Sequence, residues 1–286
     1  MGLSGKQRES RGAISTGEPV GPQSRVTRLG GYLGARVEGV DLSNPLDTST
    51  VASLRSAFLE HCVLVFPKQH LTADQLASFA ALWGELHLMP AKRLDENPHV
   101  IEFGYTPGGR RPATDIWHSD RSCEERPPMA TFLQAQTIPS AGGDTLFASQ
   151  YEAYEALSDG MKAMLGGLRA IHTDERFNQF GGPRPPTNIP GAAHPVVRTH
   201  PETKRRALFV NATFTTQFEG MTIDESQPLL TWLYAHCSQP NFTFRHSWSE
   251  GDLVMWDNRC VQHYAVADYC TARTMRRATV IGDDPS

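Results

Sequence analysis

Three side chains in this sequence could together hold a metal ion. His118 and Asp120, in Ile116-Trp117-His118-Ser119-Asp120, stand two positions apart. In extended chain, residues so spaced point to one face. His263, far along in Trp256-Asp257-Asn258-Arg259-Cys260-Val261-Gln262-His263-Tyr264, can close the triangle. Two imidazoles and one carboxylate on a single face suit iron(II) and leave the opposite coordination positions open. Arg273 and Arg277 follow soon after His263. An arginine at the edge of such a site can grip the far end of a dicarboxylate through a two-pronged fork, which a lysine cannot reproduce.

Each of these residues has a plainer reading. A His-x-Asp pair arises readily by chance, and His172-Thr173-Asp174 is a second one. The first pair follows an extended segment and precedes a loop that feeds a strand. The second comes after a glycine-broken helix and runs into charged residues, where Asp174 reads as a turn cap. His263 taken singly would be a core or surface histidine. Its setting is a turn at Gly251-Asp252, the apolar strand Leu253-Val254-Met255-Trp256, and a fold-back through Asp257-Asn258. Arg273, Arg276 and Arg277 could equally form a solvated basic edge.

The elements that must position these groups are those of a sheet-rich domain. A chain of 286 residues is long enough to bury a substantial core. Its net charge of -4 gives no basic footprint for nucleic acid, and no run reaches the roughly 18 apolar residues of a membrane span. The 5 cysteines are odd in number and scattered, against both a disulfide framework and a structural zinc site. Residues 1–24 are poor in apolar groups to bury and have no signal-like core, so a disordered tail on a cytoplasmic protein is expected, with residues 25–286 as one domain.

Within that domain, short strands are expected between Val26 and Val40. Ser49 to His61 has helical spacing, and Val63 to Phe66 reads as a buried strand. Thr72 to Trp83 forms a helix with a capping box from Thr72 to Gln75. Further strands are expected at His99 to Phe103, Met129 to Gln136, Thr145 to Phe147, Val196 to Thr199, Ala207 to Asn211, Thr243 to Trp248, Leu253 to Trp256 and Met275 to Ile281. Gln150 to Leu168 should be helical in two pieces, and Asp224 to His236 a further helix. The Pro/Gly-rich stretch from Asn178 to Ala193 reads as a long loop, of the kind that forms lids or binding segments. Many short strands with helices gathered mostly in the first half suggest an α+β, mainly β architecture: a cupin-like jelly-roll core with flanking helices.

At this point the sequence resembles the taurine dioxygenase (TauD/TfdA-like) family of iron(II)- and 2-oxoglutarate-dependent oxygenases, from about Val26 to Asp283. The resemblance is carried by Trp117-His118-Ser119-Asp120, by Pro139-Ser140-Ala141-Gly142-Gly143-Asp144-Thr145-Leu146 and by Tyr154-Glu155-Ala156-Leu157-Ser158. It continues through His194-Pro195-Val196-Val197-Arg198-Thr199-His200-Pro201, Trp256-Asp257-Asn258-Arg259, Gln262-His263-Tyr264 and Arg277-Ala278-Thr279. It implies a double-stranded β-helix with His118, Asp120 and His263 as iron ligands. It implies Thr145 and Arg273 on the far carboxylate of 2-oxoglutarate, Arg277 on an anionic group of the substrate, and dioxygen as the third reactant. Dimers or tetramers are common in the family.

The substrate pocket departs from the taurine-enzyme pattern. Met89 and Lys92 stand where those enzymes carry a histidine and a tyrosine, and Thr114 where they carry an asparagine. Met89 would make one wall apolar and adaptable, and Lys92 is either a second cation or a solvated loop lysine. The resemblance therefore implies a small anionic substrate other than taurine, either for catabolism or for a tailoring step in natural-product biosynthesis. Two further readings compete: a jelly-roll metal hydrolase or lyase, and a non-catalytic 2-oxoglutarate-binding protein. The former has no need of the dicarboxylate anchor at Arg273 and Thr145; the latter has no need of an intact ligand triangle.

Overall fold

The computed structural model describes residues 24–88, 94–109, 114–175 and 191–286. Residues 1–23, Met89, Lys92 and residues 178–190 of the expected loop lie outside the described residues.

Apolar alternation builds the frame. The run Val63–Phe66 forms β3, buried at all four positions, and Leu253–Asp257 forms β13 beside it in antiparallel register. Ala130–Thr137 (β5) pairs with the other edge of β13, and Arg273–Val280 (β15) pairs with β5. Ile101–Tyr105 (β4) closes one side of this sheet; Arg25–Arg28 (β1) and Ala35–Glu38 (β2) close the other. Because successive strand residues face opposite sides, the seven-stranded sheet has two chemical faces. Leu64, Phe66, Phe132, Leu253, Met255, Ala278 and Val280 face outward into one apolar cluster. Val63, Val65, Leu133, Val254, Trp256 and Met275 face inward into another.

Two helices cover the outward face. Helix α1 (Thr48–His61) starts at Asp47, whose carboxylate accepts from Thr50 N at 2.8 Å, and ends at Cys62 in the left-handed region at φ 60°. Helix α2 (Ala73–Ala81) carries the expected capping box between Thr72 and Gln75. Its Phe79, with Trp83 just beyond, meets Phe132 edge-on at 5.7 and 5.6 Å. Full burial of an aromatic or branched side chain contributes about 1.5–3 kcal/mol, which fastens these helices to the sheet.

The inward face packs against a three-stranded sheet of order β12–β6–β14, formed by Thr243–His246, Thr145–Ser149 and Val261–Ala265. Phe147 of β6 and Val261 of β14 join the inward cluster, so the two sheets share a core. A third body contains helices α3 (Gln150–Glu155), α4 (Asp159–Leu165) and α5 (Ile223–Cys237) with the strands β7 (Arg169–His172), β8 (Ala192–Pro195), β9 (Val197–Thr199), β10 (Arg206–Leu208) and β11 (Thr215–Phe218).

The expected helices all form, and most expected strands form within a residue or two. Four features differ. Most α-helices among the described residues, α3, α4 and α5, lie in the second half of the chain, where the first half was expected to hold most of them. His172 ends strand β7, where a turn was expected after a helix. Ala192 and Ala193, assigned to the long loop, begin β8. Strand β11 has a polar sequence, Thr-Thr-Gln-Phe, with no apolar alternation to reveal it.

Candidate active site

The ligand candidates come together through main chain. His118 N donates to His263 O at 3.1 Å, and His263 N donates to His118 O at 2.8 Å. This bridge adds one residue to the edge of β14, whose His263 lies opposite Phe147 on β6. The extended-strand expectation for His118 and Asp120 is corrected here: His118 makes an isolated bridge, and Asp120 already begins a turn. The two side chains still converge. Asp120 Oδ1 stands 3.8 Å from His118 Nε2 and 3.8 Å from His263 Nε2. One ligand atom from each of the three lies within 4.8 Å of the others, and all three residues are buried.

That spacing is too long for hydrogen bonds. The three atoms face a common centre that a cation would satisfy. His118 Nδ1 is 2.7 Å from the Ile116 carbonyl, which can only accept, so Nδ1 carries the proton and Nε2 presents its lone pair. Burial holds both imidazoles neutral. It lowers His118, and it takes His263 to about 3 with help from His118 and Arg277. Burial works to raise the Asp120 carboxyl, but the imidazoles, Arg277 and the Thr131 hydroxyl outweigh it and keep it well below the usual carboxylate range. Two neutral nitrogens and one ionised oxygen are the protonation states that metal binding requires.

Arg273 and Arg277 sit four residues apart on the inward face of β15, in different surroundings. Arg273 is only 4% exposed, and its Nε and Nη2 have no hydrogen-bond partner among the described residues. Its guanidinium lies 6.0 Å from the Trp248 ring and 5.8 Å from the Tyr269 ring, and it also hydrogen-bonds the Tyr269 side chain. Trp248 Nε1 also donates to Thr145 Oγ1 at 3.0 Å, leaving the threonine's own hydroxyl hydrogen free for another acceptor. A buried cation offering two unpaired N–H groups, with a hydroxyl reached through the same tryptophan, fits one carboxylate group of 2-oxoglutarate. Arg277 is partly open: Nη1 is 3.5 Å from Asp120 Oδ1, and the guanidinium lies 5.6 Å from the Phe103 ring.

Thr114 enters the structure through its carbonyl, which accepts from Ala265 N at 3.0 Å. The rival pair does not assemble. His172 is buried with Nδ1 3.0 Å from Ser122 Oγ, and among the described residues it joins no cluster able to hold an ion. A second close group, His200, Asp257 and Cys260, is already saturated. The Asp257 carboxylate accepts from Arg259 Nε at 2.8 Å and Nη2 at 2.7 Å and lies 3.0 Å from His200 Nε2. Burial keeps the Cys260 thiol protonated. Sequence reasoning gave no role to Thr131, Asn258 or Trp248, each of which touches a site residue through a side chain. Trp256-Asp257-Asn258-Arg259 was visible as a motif, but nothing in its spacing marks which side chain turns inward.

A sheet-rich frame, a buried His-Asp-His group able to hold an ion, and a buried arginine with two nitrogens lacking a partner among the described residues are the parts a metal-dependent enzyme with a carboxylate cosubstrate needs. The chain belongs to the TauD/TfdA family of iron(II)- and 2-oxoglutarate-dependent dioxygenases: the family model "Taurine catabolism dioxygenase TauD, TfdA family" matches residues 25–279. It is 34% identical to an alkylsulfatase of Acinetobacter baylyi, over 91% of this chain and 86% of that protein. It is 32% identical to an alpha-ketoglutarate-dependent sulfate ester dioxygenase of Pseudomonas putida, over 96% of this chain and 95% of the relative. The crystal structure of a taurine dioxygenase from Burkholderia xenovorans superposes with a TM-score of 0.81 at 37% identity, covering 92% of this chain and 91% of that one.

Proposed function

We propose that residues 25–286 form one catalytic domain, in which the facing seven- and three-stranded sheets make the double-stranded β-helix and His118, Asp120 and His263 hold iron(II). The observation that carries this is the convergence of those three ligand atoms, with a buried Arg273 on the same face of β15 as Arg277 whose Nε and Nη2 have no partner among the described residues. Arg273 and Thr145 anchor one end of 2-oxoglutarate, and Arg277, at the open side, meets an anionic group on the substrate. Bound iron supplies the redox chemistry: 2-oxoglutarate and O2 give succinate and CO2, and one oxygen atom enters a substrate C–H bond. The protein's share is to fix the reactants' positions and to keep water from the reacting centre.

The substrate class is a small organic anion, and an organic sulfate ester is the favoured member. The alkylsulfatase and sulfate ester dioxygenase relatives support it, and so does Arg277, whose planar fork suits a tetrahedral oxyanion. Hydroxylation of the carbon bearing the sulfate oxygen gives an unstable adduct; it breaks its C–O bond to leave an aldehyde and free sulfate. Met89, Lys92 and Thr114, where taurine enzymes carry histidine, tyrosine and asparagine, speak against taurine despite the similarity to a solved taurine dioxygenase.

The test is an anaerobic titration with iron(II) and 2-oxoglutarate, watching for the visible charge-transfer band. A panel of an alkyl sulfate, an aryloxyalkanoate and taurine, scored by succinate formed, then follows. Succinate well above the no-substrate rate with the alkyl sulfate is the expected result. Absence of the band would sink the metal and cosubstrate assignment, and selective turnover of taurine would sink the substrate class.

A further inference from the structure

Asp120 is gripped on the side away from its partner imidazoles. Its Oδ2 accepts from the Thr131 hydroxyl at 2.6 Å. Thr131 Oγ1 accepts in turn from Asn258 Nδ2 at 2.9 Å. Asn258 Oδ1 accepts from Asp120 N at 3.2 Å and from Trp256 Nε1 at 3.0 Å. Every donor and acceptor in this loop is forced. An ionised carboxylate only accepts, an indole and a backbone N–H only donate, and Thr131 has one hydrogen to give. Asn258 can therefore adopt only one amide orientation, and the Thr131 hydrogen has only one destination.

The fold holds both partners firmly. Thr131 lies on the inward face of β5, directly opposite Trp256 on β13 and Thr279 on β15. Asn258 follows the end of β13, and its N–H donates to Met129 O at 2.8 Å. Asp120, Thr131, Trp256 and Asn258 are all nearly inaccessible to solvent, so water cannot replace a lost bond. A short O–H···O⁻ contact in such surroundings is among the stronger hydrogen bonds a protein makes.

We infer that Thr131 and Asn258 are positioning residues that keep Asp120 a one-oxygen ligand, reserving Oδ1 for the ion and withholding Oδ2. This rests on the metal-site reading above and extends it. A triangle of three protein atoms leaves three positions on a six-coordinate ion. Two-point attachment by the keto acid uses two of them, so the remaining position for oxygen exists only while the carboxylate contributes a single atom. Freed from the threonine, the carboxylate can rotate and offer both oxygens. The clamp therefore protects a vacancy as well as a ligand.

Cobalt(II), which needs no turnover to be observed, tests this. Wild type, Thr131→Val and Thr131→Ser are titrated anaerobically, reading the dissociation constant and the ligand-field absorption, which reports coordination number. Loss of a hydrogen bond behind a metal ligand costs about 10–100-fold in metal affinity. Thr131→Val, similar in shape but without the hydroxyl, should lose that much and shift the absorption. Thr131→Ser, which restores the donor, should return both to wild type. A valine variant with wild-type absorption overturns the inference, whether or not its affinity falls, because general loosening would weaken binding without changing the ligand set. Should Thr131→Val fail to fold, Thr131→Ala removes the same hydroxyl without apolar bulk and carries the same expectation. If wild type takes up no cobalt, the metal-site reading fails; if wild type binds and the hydroxyl-free variants match it, only the positioning role fails.

Discussion

Arg277 Nη1 stands 3.5 Å from Asp120 Oδ1, so the cation assigned to the substrate also lies against the carboxylate assigned to the metal. An anionic substrate drawn to Arg277 is thereby brought next to the ion. Arg277→Ala should raise the substrate concentration needed for half-maximal rate by at least tenfold, the value of one charged contact of about 1.5 kcal/mol. Slow succinate formation without substrate should survive. Steady-state kinetics with and without substrate check both halves.

Arg273 is expected to behave differently. With two donors aimed at one carboxylate, Arg273→Ala should weaken 2-oxoglutarate by about 100-fold, corresponding to roughly 3 kcal/mol. Metal affinity should change little, because the guanidinium's partners among the described residues are Trp248 and Tyr269 rather than the three ligand residues. Charge-transfer titration gives the cosubstrate constant directly. If the two arginine variants showed the same profile, their assigned roles would be wrong.

The ligands themselves can be tested without losing the fold. His118 and His263 are joined by main-chain bonds that do not depend on their rings. His118→Ala and His263→Ala should each abolish iron-dependent turnover while keeping a wild-type-like circular dichroism spectrum. Wild-type activity in either variant would remove that residue from the site.

Asp257 ties the turn between β13 and β14 to the rest of the molecule, accepting from Arg259 and facing His200 with almost no exposure to water. Burial works to raise its carboxyl, but the Arg259 charge and the hydrogen bonds from Arg259 and His200 hold it well below the usual carboxylate range. Asp257→Asn removes the more buried of Arg259's two carboxylate partners and leaves Glu202 2.8 Å from Nη1, for a loss of about 1.5–3 kcal/mol. Urea unfolding at neutral pH measures it; a loss below 1 kcal/mol would mean the pair behaves as though solvated.

Acid should destabilise the protein through histidines buried in the neutral form. Burial, with His194 nearby, holds His172 well below its ordinary 6.5. The unfolded chain takes up that proton as pH falls below about 6.5, and the folded chain does not. The stabilising contribution is thus complete above that pH and lost progressively beneath it. At full difference, one histidine gives a slope of about 1.4 kcal/mol per pH unit. His172→Gln should flatten the fall in unfolding free energy between about pH 5.5 and 4.5 by up to that amount. An unchanged slope would place the proton on His172 in the folded state.

Much of this could be read from the sequence because the relevant physics is local. Leu253-Val254-Met255-Trp256 is an apolar run between turns, and Thr72 with Gln75 announces a helix start. The grouping of His118, Asp120 and His263 was suggested by residue type, strand context and the family resemblance, although its geometry comes from a two-residue bridge and a turn. Strand β7 was hidden because Arg169-Ala-Ile-His follows a glycine-broken helix and carries too few apolar residues to set a period. The Thr131–Asn258 contact joins residues 127 positions apart, and a threonine within a strand otherwise reads as a β-former. Nothing short of the folded register puts its hydroxyl beneath Asp120.

The paired amide–carbonyl exchange between His118 and His263 has a consequence for engineering. Because that main-chain exchange and the bond from Ser119 Oγ to Val261 O hold the two stations together without using either imidazole, their donor atoms can be exchanged without redesigning the surrounding loops. Histidine replaced there by cysteine or glutamate would inherit a ready-made seat, making the chain a frame on which softer or harder cations, and reactions foreign to iron, could be installed.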